Sequence, residues 1–170
     1  MSKKILFLLT IVSTFVMRTL DVPLKNEIAV KGIVSFELAG SLQNSIDILN
    51  SWDANAKLYA GIGLGFDYLF MLMYSLLFYT LIKYVASKST NASVSKFGNI
   101  LAYAMLLAGI FDAIENYALI HLYLGNLDQM FSTVAYYSAS IKFLLLGLGI
   151  TYILIGYFYY FGMKLSNKNK

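Results

Sequence analysis

Three stretches of this chain are too long and too apolar to hide inside a small water-soluble core: Leu58 to Val85, Phe97 to Leu124 and Met130 to Met163. A helix needs about 20 mostly apolar residues to cross the hydrocarbon of a bilayer, and each stretch exceeds that. Water is absent there, so a lipid-exposed segment must satisfy its own backbone, and a helix does so. A fourth stretch, Ile5 to Leu20, is shorter and ends near Arg18. Lys3 and Lys4 precede it, as in a signal peptide. No small-residue cleavage pattern follows, however, since the chain continues "VMRTLDVPLKNE". It reads as an uncleaved first span.

Composition agrees. Of 170 residues, 59% are hydrophobic and 13% charged, against about 25% charged in an ordinary soluble domain. There is no Cys, which excludes disulfides, thiol catalysis and thiolate metal sites. The expected fold is an all-α integral membrane four-helix bundle, a single domain over residues 1–170, with spans at about 5–20, 58–85, 97–124 and 130–163.

The formal net charge is +4, but its placement speaks for topology rather than for nucleic acid. Lys3, Lys4, Lys83, Lys88, Lys96, Lys164, Lys168 and Lys170 fall on one side if all four spans cross, and no acidic residue joins them. Lys and Arg accumulate on the cytoplasmic side. The expectation is a multi-pass cell-membrane protein with both termini cytoplasmic. Asn91-Ala92-Ser93 matches a glycosylation acceptor, but lies in the loop expected to face the cytoplasm.

The connection between spans one and two is more than a linker. Leu38, Leu42, Ile46, Leu49 and Trp52 recur at helical spacing. This predicts an additional amphipathic helix over residues 33–52, on the outer surface of the bundle or in the headgroups, with Trp52 at the interface. Such a helix either covers the bundle or acts as a lid over a cavity. Glu37 sits at its start.

The spans carry charge at one depth. At about 1.5 Å per residue, Asp67 lies roughly 14 Å below Leu58, and Glu115 roughly 14 Å below Leu124. Asp112 and Lys142 lie about 18 Å in. Successive helical residues are about 100° apart, so Asp112, Glu115 and Asn116 share one face. Ala104 and Ala108 continue that face. Lys142, Gly149 and Gly156 recur every seven residues, a packing seam. Gly63, Asp67 and Tyr74 share a stripe, beside a Gly61/Gly65 pair. Small residues mark close helix contact, so the charges are expected to point into the bundle.

Asp67, Asp112, Glu115, Asn116 and Lys142 should therefore converge, three acids on one base. Arg18 offsets part of the excess if it turns inward, or snorkels outward instead. Otherwise a carboxyl must hold a proton, with Glu115 and Asp112 the candidates for proton exchange. Two readings stand side by side. Intramembrane ionisable residues are functional by default, yet a buried Lys–carboxylate network can simply fix helix register. His121, the one His, lies about 180° around the helix from Asp112, so neither a metal site nor any other cofactor is expected. No G-x-S-x-G, P-loop or H-E-x-x-H motif is present.

The ordered motifs "FELAGS…ILNSWD", "GFDYLFMLMYS" and "AGIFDAIENYAL" resemble a group of small bacterial four-span membrane proteins. That group shares an F-E-L segment, a Trp before span two, D-[FY]-L-F in span two and D-x-x-E-N in span three. The resemblance implies an inner-membrane bundle and brings no function with it. It falls on Glu37, Trp52, Asp67, Asp112, Glu115 and Asn116. In layout alone the chain also resembles the emopamil-binding and sigma-2-receptor type of membrane protein, small bundles with acidic residues in a sterol-sized cavity. No motif aligns with that type, and the His its isomerases use inside the cavity has no counterpart here.

Three functions fit these readings. The first is a polar intramembrane site for a small amphipathic or lipid-like molecule, with Glu37, Asp67, Asp112, Glu115, Asn116 and Lys142 as its candidate residues. The second is a proton- or ion-coupled transport subunit, for which a homodimer is needed because four spans are few. The third is a structural or interaction protein with no ligand. Beyond the lipid bilayer, the partners expected are that ligand and a second copy, and no nucleic acid.

Overall fold

The computed structural model describes residues 3–166, with side chains described to Tyr160. Its helices are α1 (Lys3–Asp21), α2 (Ile33–Glu37), α3 (Leu42–Ser51), α4 (Ala54–Lys88), α5 (Ala92–Tyr123) and α6 (Gln129–Ser166), with a 3-10 turn at Val22–Leu24 after α1. No strand occurs among the described residues. Four helices, α1, α4, α5 and α6, are long and apolar enough to cross a membrane. The protein is an all-α, multi-pass membrane bundle.

Local chemistry sets the boundaries. Asp53 opens α4, its carboxylate accepting from the Ala56 N–H at 2.7 Å. Asn91 opens α5 by accepting from Ser93 and Val94. Ser41 opens α3 by accepting from Asn44. Each cap occupies an N–H that has no partner within its helix. The one Pro, Pro23, ends α1 in the 3-10 turn, because proline has no N–H to continue the α-helical bonding.

Neighbouring spans run antiparallel. Lys3 and Leu6 of α1 lie beside Leu81 and Tyr84 of α4, while Met17 and Leu20 lie beside Tyr59 and Ala60. The start of α1, the α4–α5 turn and the far part of α6 thus share one end, which carries the lysines. The α1–α4 connection closes the other, the capped end.

That connection differs from the single surface helix expected over 33–52. It is two helices, α2 and α3, broken between Leu38 and Ser41. Gly40 sits there at φ 72°, a left-handed conformation that glycine adopts without steric cost, and Ser41 restarts the helix by capping it. The buried stripe also differs. Ser45, Ile48 and Trp52 are buried, while Leu42, Ile46 and Leu49 are only half-buried. Trp52 is a core residue, 2% exposed, rather than an interfacial one. Its indole N–H donates to the Leu24 carbonyl at 2.8 Å, and its ring meets Phe36 edge-on at 5.6 Å. Together with Leu24 and Ala29 these residues cap a core formed by Ala60, Leu119 and Ala135. Leu42 and Ser45 tie α3 to α6 through Gln129 at 2.7 Å and Ser132 at 2.9 Å.

The small-residue seam of α6 is present. A Cβ at Gly149 would stand 2.7 Å from the Met105 sulfur, and one at Gly156 would overlap Val85. Gly149 and Gly156 therefore let α6 approach α5 and α4. The Gly61/Gly65 pair makes no comparable seam. Gly61 is close to Tyr123 at 3.0 Å, but nothing lies within 4 Å of a Cβ at Gly65.

Candidate functional site

Lys142 of α6 is 5% exposed, and three carboxylates from two other elements surround it. Its ammonium lies 2.8 Å from Asp112 Oδ1 and 2.8 Å from Glu115 Oε2, both on α5. It lies 3.6 Å from Glu37 Oε2 on α2. The helical rise explains the α5 pair: residues 112 and 115 are neighbours on one face, one turn apart.

The three acids are not equivalent. Asp112 has both oxygens occupied. Lys142 donates to Oδ1 at 2.8 Å, and the Tyr74 hydroxyl donates to Oδ2 at 2.6 Å. An acceptor filled on both sides suits the ionised form. The Oε2 atoms of Glu115 and Glu37 are buried without a hydrogen bond. For Glu115 the 2.8 Å approach of Lys142 is an ion-pair contact without hydrogen-bond geometry. The acids converge on an ammonium rather than on an empty point. No group of three or more His, Asp or Glu that could hold a metal ion occurs among the described residues.

Negative charge is left over unless a carboxyl holds a proton. Lys142 balances one carboxylate of three. Arg18, the residue expected either to help or to snorkel, is exposed and makes no ion pair. It does not neutralise the layer.

Asn116 and Asp67 sit beside this cluster. Asn116 is buried, and its amide donates to the Leu64 carbonyl at 2.7 Å, clamping α5 to α4. Asp67 of α4 is half-buried and makes neither a hydrogen bond nor an ion pair. With Glu37, Asn116 and Asp21 it lines a cavity of about 20 Å³ between α1, α2, α4 and α5. That is room for about one water molecule, far from a sterol-sized space. Asp21 is already engaged: it accepts from the Ile33 N–H at 2.7 Å and pairs with Lys25 at 3.2 Å. The carboxylates open to the cavity are Asp67 and Glu37. Burial pushes the Glu37 carboxyl above its ordinary value; Lys142 opposes that and Asp112 adds to it.

The structure thus brings Glu37, Asp112, Glu115 and Lys142 into direct contact and places Asp67 and Asn116 on an adjoining cavity. Sequence reasoning did not select Tyr74 for the site. The available signal was its position seven residues after Asp67 on the same stripe. His121 lies away from the layer. It is stacked on Phe131 at 4.5 Å and meets Tyr117 edge-on at 4.5 Å.

The chain matches no family model, no curated protein and no solved structure, so the site is read from its own geometry.

Proposed function

We propose that this is a small bacterial inner-membrane protein, with both termini cytoplasmic, whose charged layer binds a small amphipathic or lipid-like molecule from the capped side. The observation that carries this reading is the unpaired carboxylate of Asp67, on a cavity beside the ion cluster that Glu37 also lines. A purely architectural network gains from committing every polar group, because an unsatisfied buried one is costly. Here Asp112 and Asn116 are committed to the protein, Glu37 is held by Lys142 alone at 3.6 Å, and Asp67 is free to meet a ligand.

The cavity takes about one water molecule as it stands, so admission of a ligand requires α2 to move. The segment suits that role. Gly32 at φ 61° and Gly40 at φ 72° flank it, and α2 is only five residues long. Asp112, Tyr74 and Lys142 then form the fixed wall, with Glu37 carried on the moving cap. The residues that carry the resemblance to small bacterial four-span proteins include Glu37, Asp67, Asp112, Glu115 and Asn116 of this layer.

Native mass spectrometry after mild purification tests the reading. A retained lipid-like ligand is expected, reduced by Asp67→Asn and by Glu37→Gln. No retained ligand in the wild type would count decisively against it.

The leftover negative charge favours one further reading, a proton-coupled transport subunit acting as a homodimer. Reconstituted protein should then move protons across liposomes in a manner lost in Glu115→Gln. Electrically silent liposomes remove it.

A further inference from the structure

The end of the bundle opposite the cap holds a groove of different chemistry. It lies between the α4–α5 turn and the far half of α6, and encloses about 490 Å³, within the usual size of small-molecule sites. Its walls are apolar, formed by Val85, Phe97, Leu148 and Ile155. Tyr152 braces it, its hydroxyl donating to the Val94 carbonyl at 3.1 Å. A Cβ at Gly98 would overlap that hydroxyl, and one at Gly156 would overlap Val85. These two glycines allow α6 to approach the turn.

The rim is polar and basic, with Lys88, Ser89 and Asn91. Asn91 uses its side-chain oxygen to cap α5, which leaves its NH₂ free to donate. Lys88 is exposed and makes no ion pair with the protein. All nine acidic residues of the chain lie between Asp21 and Asp128, and none lies between residues 68 and 111. The Lys88 ammonium meets only the Tyr84 ring, at 5.5 Å, so any anion at this rim comes from outside the protein.

We infer that the groove binds one anionic phospholipid, with an acyl chain along the apolar walls and the phosphate against Lys88 and the Asn91 amide. Two features select a lipid over a soluble anion. The walls are apolar along their length, and the groove sits where the lysines mark the membrane boundary. Basic sites between spanning helices at such a boundary recruit anionic headgroups. This site shares no residue with the charged layer and does not depend on the reading given above for it.

The test is lipid titration of the detergent-purified protein, read by native mass spectrometry, with phosphatidylglycerol and phosphatidylcholine of identical chains. The wild type should retain phosphatidylglycerol preferentially. Lys88→Gln should cut that preference about fivefold, the effect of one surface lysine, without changing the thermal midpoint. Lys96→Gln, exposed and outside the groove, should leave the preference intact. Leu148→Trp, which fills the groove, should lower retention of both lipids. Equal retention of the two lipids by the wild type overturns the proposal. Equal losses in Lys88→Gln and Lys96→Gln overturn it too, because the attraction is then diffuse. Displacement of the bound lipid by glycerol phosphate would also overturn it, by showing that the apolar groove contributes nothing.

Discussion

The two halves of α6 differ in how much of them the bundle covers. In its first half Ser132, Ala135, Ser138, Ala139 and Lys142 are buried, one inward stripe of small and polar side chains. In its far half Leu154, Ile155, Tyr157 and Phe158 are all exposed, Phe158 by 68%. A water-soluble helix would bury the second set and expose the first. In lipid there is no hydrophobic gain from hiding Leu behind Leu, so packing and polar contacts decide which face turns inward. The capped end is therefore dense and charged, and the lysine-bearing end is open and greasy. The contrast is between a buried ion cluster under its cap at one end and an apolar groove with a basic rim at the other.

The strongest way to break this contrast is at its centre. Lys142→Met leaves three carboxylates without their cation. Removing one partner of a buried ion pair costs about 3–5 kcal/mol, and a thermal melt in detergent should show a loss of that order. The double variant Lys142→Met/Glu115→Leu should recover part of it, because Glu115 Oε2 has no hydrogen-bond donor and depends on the ammonium alone. Ile155→Ala, on the lipid-facing far half of the same helix, should leave the midpoint nearly unchanged. Comparable losses in Lys142→Met and Ile155→Ala would erase the difference between the two ends.

How much of this could be read beforehand depends on the kind of regularity involved. The four spans follow from length and apolarity, and α4 and α5 begin a few residues before the expected limits because their caps, Asp53 and Asn91, lie outside the apolar stretch. The contacts of Lys142 with Asp112 and Glu115 follow from helical rise and angle, which are fixed by the backbone. The contact with Glu37 does not. It depends on the connection folding into the bundle mouth, and that rests on long-range packing of Phe36 and Trp52. The spacing of Leu38, Leu42, Ile46, Leu49 and Trp52 suggested one continuous helix. Gly40 and the Ser41 cap overrode it, and the break turned Ser45 and Ile48 inward instead. The cavity was the least legible feature. Its small volume is a property of packing between four elements, which no one segment encodes.

A smaller effect sharpens the role of the cap. Glu37 is the one member of the ion cluster carried by the connection. Facing it are Lys142 of α6 and Asp112 and Glu115 of α5, with Asp67 of α4 on the adjoining cavity and Asp21 at the end of α1. Burial raises its carboxyl above the ordinary value. The unfolded chain then loses this proton at lower pH than the folded one. Between the ordinary carboxylate range and the folded value the native state binds more protons, so this group's contribution to stability declines as pH rises. The thermal midpoint of the wild type should therefore fall relative to that of Glu37→Gln as pH increases from acid toward neutral. A difference independent of pH would mean that Glu37 is not buried as an ionisable member of the cluster, and that the cap is held by Trp52 and Phe36 alone.

The smallest expected effect concerns the residue best placed to blur the contrast. Arg18 lies on α1 near the capped end, and a cation there is what the excess negative charge of the layer would attract. Instead it is exposed and unpaired. A surface substitution away from packing or paired charge changes stability by no more than about 0.5 kcal/mol. Arg18→Gln should fall within that range. It should also add to Lys142→Met without coupling, because residues with no shared partner behave independently. A melt of the two single variants and the double variant measures both quantities. A loss of several kcal/mol in Arg18→Gln, or a strong interaction with Lys142→Met, would mean that Arg18 turns inward and supplies the second cation. The layer would then carry less excess negative charge, and Asp67 would have a protein partner in place of a ligand.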